Sequence, residues 1–437
     1  MRFFCKSVSV SMVKEGTGRA LQYRWFIFWI FSLQFLLLFF HRICPAVLAP
    51  ELVKAFNISG VGLGVLSSAY FYPYAFMQIP IGILSDSWGV RKTATLFGLI
   101  ATLGVMLFAF SHTIGFATFS RVLLGLGASA TFVCGMKVFT EWFKKVEYAR
   151  ISGLFISVGS VGWLMGTTPL AMLSQKFDWR EIFIIIGLLM IALTLLTWLL
   201  VVDNPEKKGI HNMQEQKVIP LSKRKLIDDI QLVFREKYFW PLAIWFFFRV
   251  AILFSFFGLW AGPYLMDTYK LSKIETGNIL LMVPLAIIVG SPFLGYLSDK
   301  MLGSRKQVIV GSSVVHSLCW VILLVFHGSL SIPALYLLFF ITGAASSAPG
   351  SVGFTATKEL FSANIAGISM GAVNSFSFLG GILFQPAIGY VLDKAGRVQG
   401  VYPSSAYKLA FWIFFIMSLM SLLGALLSKE TISRDKR

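Results

Sequence analysis

The sequence predicts an all-α polytopic membrane protein: twelve transmembrane helices in two pseudo-symmetric six-helix bundles. Three observations carry that expectation. Hydrophobic residues make up 57% of the 437-residue chain and charged residues only 13%, against about 45–50% and about 25% in soluble domains. Apolar runs long enough to cross a bilayer recur along the whole chain, and the ten-residue alternating segments of a membrane barrel are missing. A loop motif in the first half returns in the second. The same composition excludes a water-soluble enzyme, a disordered chain and a disulfide scaffold.

Residues 1–24 form an expected cytoplasmic N-terminus with Arg2, Lys6, Lys14, Arg19 and Arg24. No small-residue cleavage site follows the first apolar run, so that run is expected to stay as a span. Spans one to six are placed near 25–49, 61–84, 93–112, 114–141, 150–173 and 180–202. They make an N-terminal bundle, 25–202. A polar cytoplasmic linker, 203–238, holds Lys223-Arg224-Lys225 and suits anionic lipid head groups. Spans seven to twelve lie near 239–266, 274–298, 307–327, 332–357, 365–390 and 406–428, giving a C-terminal bundle, 239–428. Residues 429–437 are a cytoplasmic tail.

Charge sets the expected orientation. Of 38 Lys and Arg, 26 fall on the side of the two termini, eight on the opposite side and four within spans. Cytoplasmic loops collect Lys and Arg, so both termini are expected in the cytoplasm of a multi-pass inner (plasma) membrane protein. This asymmetry accounts for most of the net charge of +18 without a nucleic-acid partner. Cys5, Cys44, Cys134 and Cys319 show no metal-ligand spacing and are expected as free thiols; no metal or cofactor is anticipated.

After span two comes Gly82-Ile-Leu-Ser-Asp86-Ser-Trp-Gly89-Val-Arg91-Lys92. After span eight comes Gly295-Tyr-Leu-Ser-Asp299-Lys-Met-Leu-Gly303-Ser-Arg305-Lys306. Ala49-Pro50 and Gly262-Pro263 lie at the same offset and are expected to end spans one and seven. The repeated loop resembles the signature of the major facilitator superfamily. Arg121-Val-Leu-Leu-Gly125-Leu-Gly127 resembles that family's fourth-span motif, and Trp179-Arg180 its sixth-span entry. His41-Arg42-Ile-Cys-Pro45 is similar to the organic-anion and organophosphate porters, and to bacterial proteins related to lysosomal dipeptide carriers. The resemblance implies that Gly82, Asp86, Gly89 and Arg91, with Gly295, Asp299, Gly303 and Arg305, form a gating cluster. It would latch the outward-open state, and it joins Arg121 and Gly125 to conformational coupling. Physically, the glycines permit close backbone approach, and Asp86 can accept from Arg91 and from a helix N-terminus.

Charges at membrane depth are costly and should face a cavity or a partner. Arg42 lies roughly 8 Å to the outer side of mid-span one, and Arg249 roughly 6 Å to the inner side of mid-span seven, from the helical rise. Together they suggest a carboxylate or phosphate site, and helix carbonyls are the competing partners. Trp245, Arg249, Phe256 and Trp260 share a face within about 80° and are expected to line the cavity with Arg249. His41 and Gln34 share a face of span one, and Asn374 and Gln385 a stripe of span eleven. Tyr70, Tyr74 and Gln78 do the same on span two. The substrate-binding candidates are therefore His41, Arg42, Arg249, Trp245, Trp260, Gln34, Asn374 and Gln385. No Asp or Glu occupies the middle third of a span, so His41 is the titratable candidate for a proton.

These residues support a secondary or facilitative transporter of a small organic anion or zwitterion, working by alternating access. A carboxylate, phosphorylated metabolite, amino acid or small peptide would qualify. A proton or counter-anion is the candidate coupling ion, and a monomer is expected. The alternative is a sensor on the same fold that binds such a ligand without moving it. An enzyme is disfavoured, because no catalytic or phosphate-binding motif is present.

Overall fold

The computed structural model describes residues 2–144, 147–203, 223–362, 365–398 and 400–432. Most of the linker and the last five residues of the tail therefore lie outside the described residues. Among the described residues the chain is helical, with one isolated bridge between Val398 and Val401 and no strand. Eleven helices among the described residues are long and apolar enough to cross a membrane. Span two makes the twelfth. It is split into Gly60–Ser68, which is too short, and Phe71–Trp88, which is long enough but carries Tyr72, Tyr74, Gln78 and Asp86 and is less apolar than the others. Leu199, Leu337 and Leu423 remain exposed on the outside of the bundles, as lipid-facing side chains do.

The first helix runs Arg2–Phe56 and crosses both Pro45 and Pro50. The seventh span likewise continues through Gly262-Pro263 to Tyr269. Ala49-Pro50 and Gly262-Pro263 therefore do not end their spans, contrary to the reading from sequence. A proline removes the hydrogen bond to the carbonyl four residues back. Pro45 frees the His41 carbonyl, which accepts from Arg121 Nη1 at 2.9 Å. Pro50 frees the Ala46 carbonyl, against which Gly262 packs so closely that a Cβ there would stand 1.8 Å from the oxygen. Neighbouring helices satisfy or cover the released groups, so neither proline stops its helix.

Gly125 sits equally close to the Tyr70 carbonyl, where span two breaks, with 2.0 Å left for a Cβ. Arg121 also reaches the Ser67 carbonyl at 3.4 Å. The fourth-span motif thus clamps spans one, two and four through backbone groups.

Both bundles close the loop motif in the same way. Gly89 and Gly303 take φ of +90° and +57°, where a side chain would be strained. Asp203, just after span six, accepts from Arg91 N at 2.7 Å at the start of span three. Glu430, just after span twelve, accepts from Arg305 N at 3.0 Å at the start of span nine. A carboxylate at each helix N-terminus satisfies free N–H groups and complements the helix dipole. Burial works against ionisation of Glu430, but the Ser304 hydroxyl and the N–H groups of Ile432, Arg305 and Lys306 outweigh it. They hold its carboxyl below the usual range.

Candidate functional site

Odd-numbered spans run from the face bearing the termini to the far face, and even-numbered spans return. On the far half the bundles are bound together. Asp393 accepts from Gly60 N and Val61 N, both at 2.7 Å. Thr168 donates to Asn278 at 2.8 Å, and Lys273 pairs with Glu51. Gly60 and Gly389 leave no room for a Cβ between spans two and eleven. On the termini half, Gly82, Gly153, Gly295, Gly367 and Gly371 each face open space, with nothing within 4 Å of a Cβ. The bundles are sealed on one side and apart on the other.

Arg42 is buried between the two bundles. Its guanidinium lies 4.5 Å from the Tyr74 ring centroid, 4.7 Å from Phe39, 5.3 Å from Phe378 and 5.6 Å from Tyr70. Nε donates to Tyr70 Oη at 3.3 Å. Nη2 is buried and has no partner. A planar cation held between ring faces keeps its charge, and Nη2 is left without an acceptor. Phe378 comes from the other bundle, so the site spans both.

The remaining candidates divide. Asn374 is half-buried on span eleven, one turn from Phe378 and on the same face. Gln34 turns into the N-terminal bundle and donates to Thr197 at 2.8 Å. The His41 ring is buried against Phe40 and Phe183, and neither ring nitrogen has a partner. Trp245 and Arg249 do not lie between the bundles with Arg42. Both bond Ser313 of span nine, at 2.9 and 3.1 Å, inside the C-terminal bundle. Phe256 packs there too, on Trp320 and Phe414. The serines give Arg249 Nη2 hydroxyl acceptors in the bundle interior, while Nε and Nη1 are buried there without a partner. Trp260 donates to the Gln385 carbonyl and Gln385 to the Phe254 carbonyl, each at 3.0 Å, which ties span seven to span eleven.

In the gating cluster, Asp86 pairs with Lys137 of span four and not with Arg91. Arg91 stacks on Trp198 at 4.4 Å instead. In the second copy Arg305 pairs with Asp299 and, at 3.1 Å, with Glu359 of span ten. The span-four position thus carries the cation and the span-ten position an anion. Gly82 and Gly295, expected at close backbone contacts, are open in this conformation. Reasoning from sequence missed Phe39 and Phe378 as neighbours of Arg42, and Asp393 altogether. Asp393 resembles any charge at a span end, and its partners are main-chain groups remote in sequence.

Two six-helix bundles joined on one face and splayed on the other, with a buried cation between them, define a membrane transporter. A family model described as Major Facilitator Superfamily matches residues 30–264 and 250–437, and the chain belongs to that family. It is 26% identical over 432 residues to an uncharacterized transporter, YybO, of Bacillus subtilis, covering 94% of this chain and 97% of the relative. It is 24% identical over 411 residues to the probable galactarate/D-glucarate transporter GudP of the same organism, covering 88% and 89%. Among solved structures, a bacterial homologue of the human lysosomal transporter Spinster, inward-facing and unoccupied, superposes with a TM-score of 0.72 at 17% identity. That match covers 93% of this chain and 97% of the other. The protein is thus a multi-pass membrane transporter and not an enzyme.

Proposed function

We propose that the protein moves a small organic anion across the plasma membrane by alternating access, with both termini in the cytoplasm. On that orientation the structure is the inward-facing state. The observation that carries the reading is Arg42: a buried guanidinium between the bundles, with Nη2 unpaired and no carboxylate beside it among the described residues. An unpaired buried cation is costly, and a bound anion relieves that cost. A relative described as a probable galactarate/D-glucarate transporter supports the same broad class of cargo, an organic anion. Asn374 sits where it would contact the rest of the molecule. His41, buried beside the Arg121 site, is the candidate proton carrier.

The test is uptake of organic anions into proteoliposomes, with binding measured on the same protein. A charge-assisted contact contributes about 1.5–3 kcal/mol, so Arg42→Ala should weaken binding roughly 10- to 150-fold. Arg42→Lys should restore only part, because the planar fork is lost. Wild-type affinity in a folded Arg42→Ala protein would refute the assignment. Saturable binding without uptake would identify a sensor.

A further inference from the structure

The surroundings of Arg42 constrain its ligand further. Tyr70 and Tyr74 stack with centroids 5.7 Å apart, and Tyr74 meets Phe378 at 4.7 Å. Phe378 stacks in turn on Phe71 at 5.9 Å and on Phe254 at 5.7 Å, with interplanar angles of 25° and 18°. The two bundles together therefore build an aromatic array around a single cation.

Several hydroxyl and amide donors near this level are engaged with backbone carbonyls. Ser377 donates to Val373 O, Ser375 to Gly371 O, Gln78 to Tyr74 O and Gln385 to Phe254 O. A polyhydroxylated ligand would bring more O–H groups than Asn374 and the Tyr70 and Tyr74 hydroxyls can match, and unmatched polar groups discriminate strongly against binding. Aromatic faces favour flat apolar bodies.

Charge limits the ligand as well. Arg121 is held by the carbonyls of His41 and Ser67 and Lys137 by Asp86, while Arg249, bonded through Nη2 to Ser312 and Ser313, lies inside the C-terminal bundle and not beside Arg42. Of these cations Arg42 alone lies among the rings of both bundles, so a second carboxylate would be buried there without a cation.

We infer that the substrate is a monocarboxylate with an aromatic or similarly flat apolar body, and not a hydroxylated dicarboxylate. This rests on the organic-anion reading and narrows it. The carboxylate takes Arg42 Nη2, the body lies against Tyr74 and Phe378, and Asn374 meets whatever single polar substituent the body carries.

The experiment is ligand-dependent thermal stabilisation and titration of the full chain in lipid nanodiscs with four probes: phenylacetate, D-gluconate, D-glucarate and phenethylamine. Phenylacetate should bind saturably and at least tenfold tighter than D-gluconate or D-glucarate. Phe378→Ala should weaken phenylacetate several-fold more than it weakens D-gluconate, and Arg42→Ala should abolish the preference for phenylacetate over phenethylamine. The wild-type ranking alone decides the matter if a variant does not fold. Tighter binding of D-gluconate or D-glucarate than of phenylacetate overturns the aromatic assignment and leaves the organic-anion reading standing. Binding of phenethylamine alone, or of none of the carboxylates, overturns the organic-anion reading itself.

Discussion

The carboxylate of Asp393, at the far end of span eleven, caps the helix that begins at Gly60, the first residue of span two. The Tyr402 hydroxyl donates to the same carboxylate at 2.5 Å, and Arg397 braces Tyr402 at 3.1 Å. This arrangement inverts the loop motif end for end. On the termini side the acid closes span two; on the far side the acid closes span eleven and grips span two.

Asp393→Asn should therefore loosen the far-side seam. Removing a capping carboxylate costs about 1 kcal/mol once solvent screening is allowed for, or roughly a fivefold change in a two-state population. Maleimide labelling of a cysteine placed at Thr168 should rise by that factor. Unchanged labelling would show that the cap does not contribute to closure.

Asp86→Asn should act in the opposite sense. It removes the partner of Lys137 and the anion available to a helix N-terminus when the termini side closes. Transport should fall while insertion and far-side closure persist. Wild-type uptake together with wild-type accessibility would sink the latch reading.

Arg249→Gln should separate stability from recognition. Its bonds to Ser312 and Ser313 are internal to one bundle, so thermal stability should change while affinity for the transported anion stays within about twofold, a difference of less than ~0.5 kcal/mol. A tenfold loss of affinity in a folded protein would return Arg249 to the binding site.

Glu430 supplies a pH-dependent contribution. Its carboxyl is held below the ordinary glutamate value, which is about 4.3. The stabilisation is then fully present above that pH and is lost as pH falls through the depressed value. Glu430→Gln should lower stability at neutral pH by roughly 0.5–1 kcal/mol, and the difference should vanish in acid. Melting curves at pH 7 and in acid read this directly; a constant difference would exclude the linkage.

The spans and the doubled loop were legible because both are local: apolar composition marks the membrane, and a repeated spacing marks the repeat. The burial of Arg42 was legible for a related reason, since a cation at membrane depth without a local acid must be served from elsewhere. Span-one length was misread because Pro50 looks like a stop until Gly262 is seen against the carbonyl it releases. The Arg249 face was misread because helical projection gives direction around one helix and says nothing of which neighbour waits there. Ser312 and Ser313 belong to a helix more than 60 positions away. The pairing of Asp86 with Lys137 crosses 51 positions, and nothing in the loop motif specifies it.

The open glycines have a practical consequence. A methyl group added at Gly82, Gly153, Gly295 or Gly367 meets nothing here, and the gain in helix propensity from Gly to Ala is common to every conformer of the same helix. Any conformer that brings the two bundles together on that side must accommodate the methyl. Substitution at these positions therefore loads one arm of the balance only: it changes the equilibrium constant between states while leaving this one untouched. Two or three such alanines would serve as a conformational trap, holding the carrier still for ligand titration without altering any atom that a substrate touches.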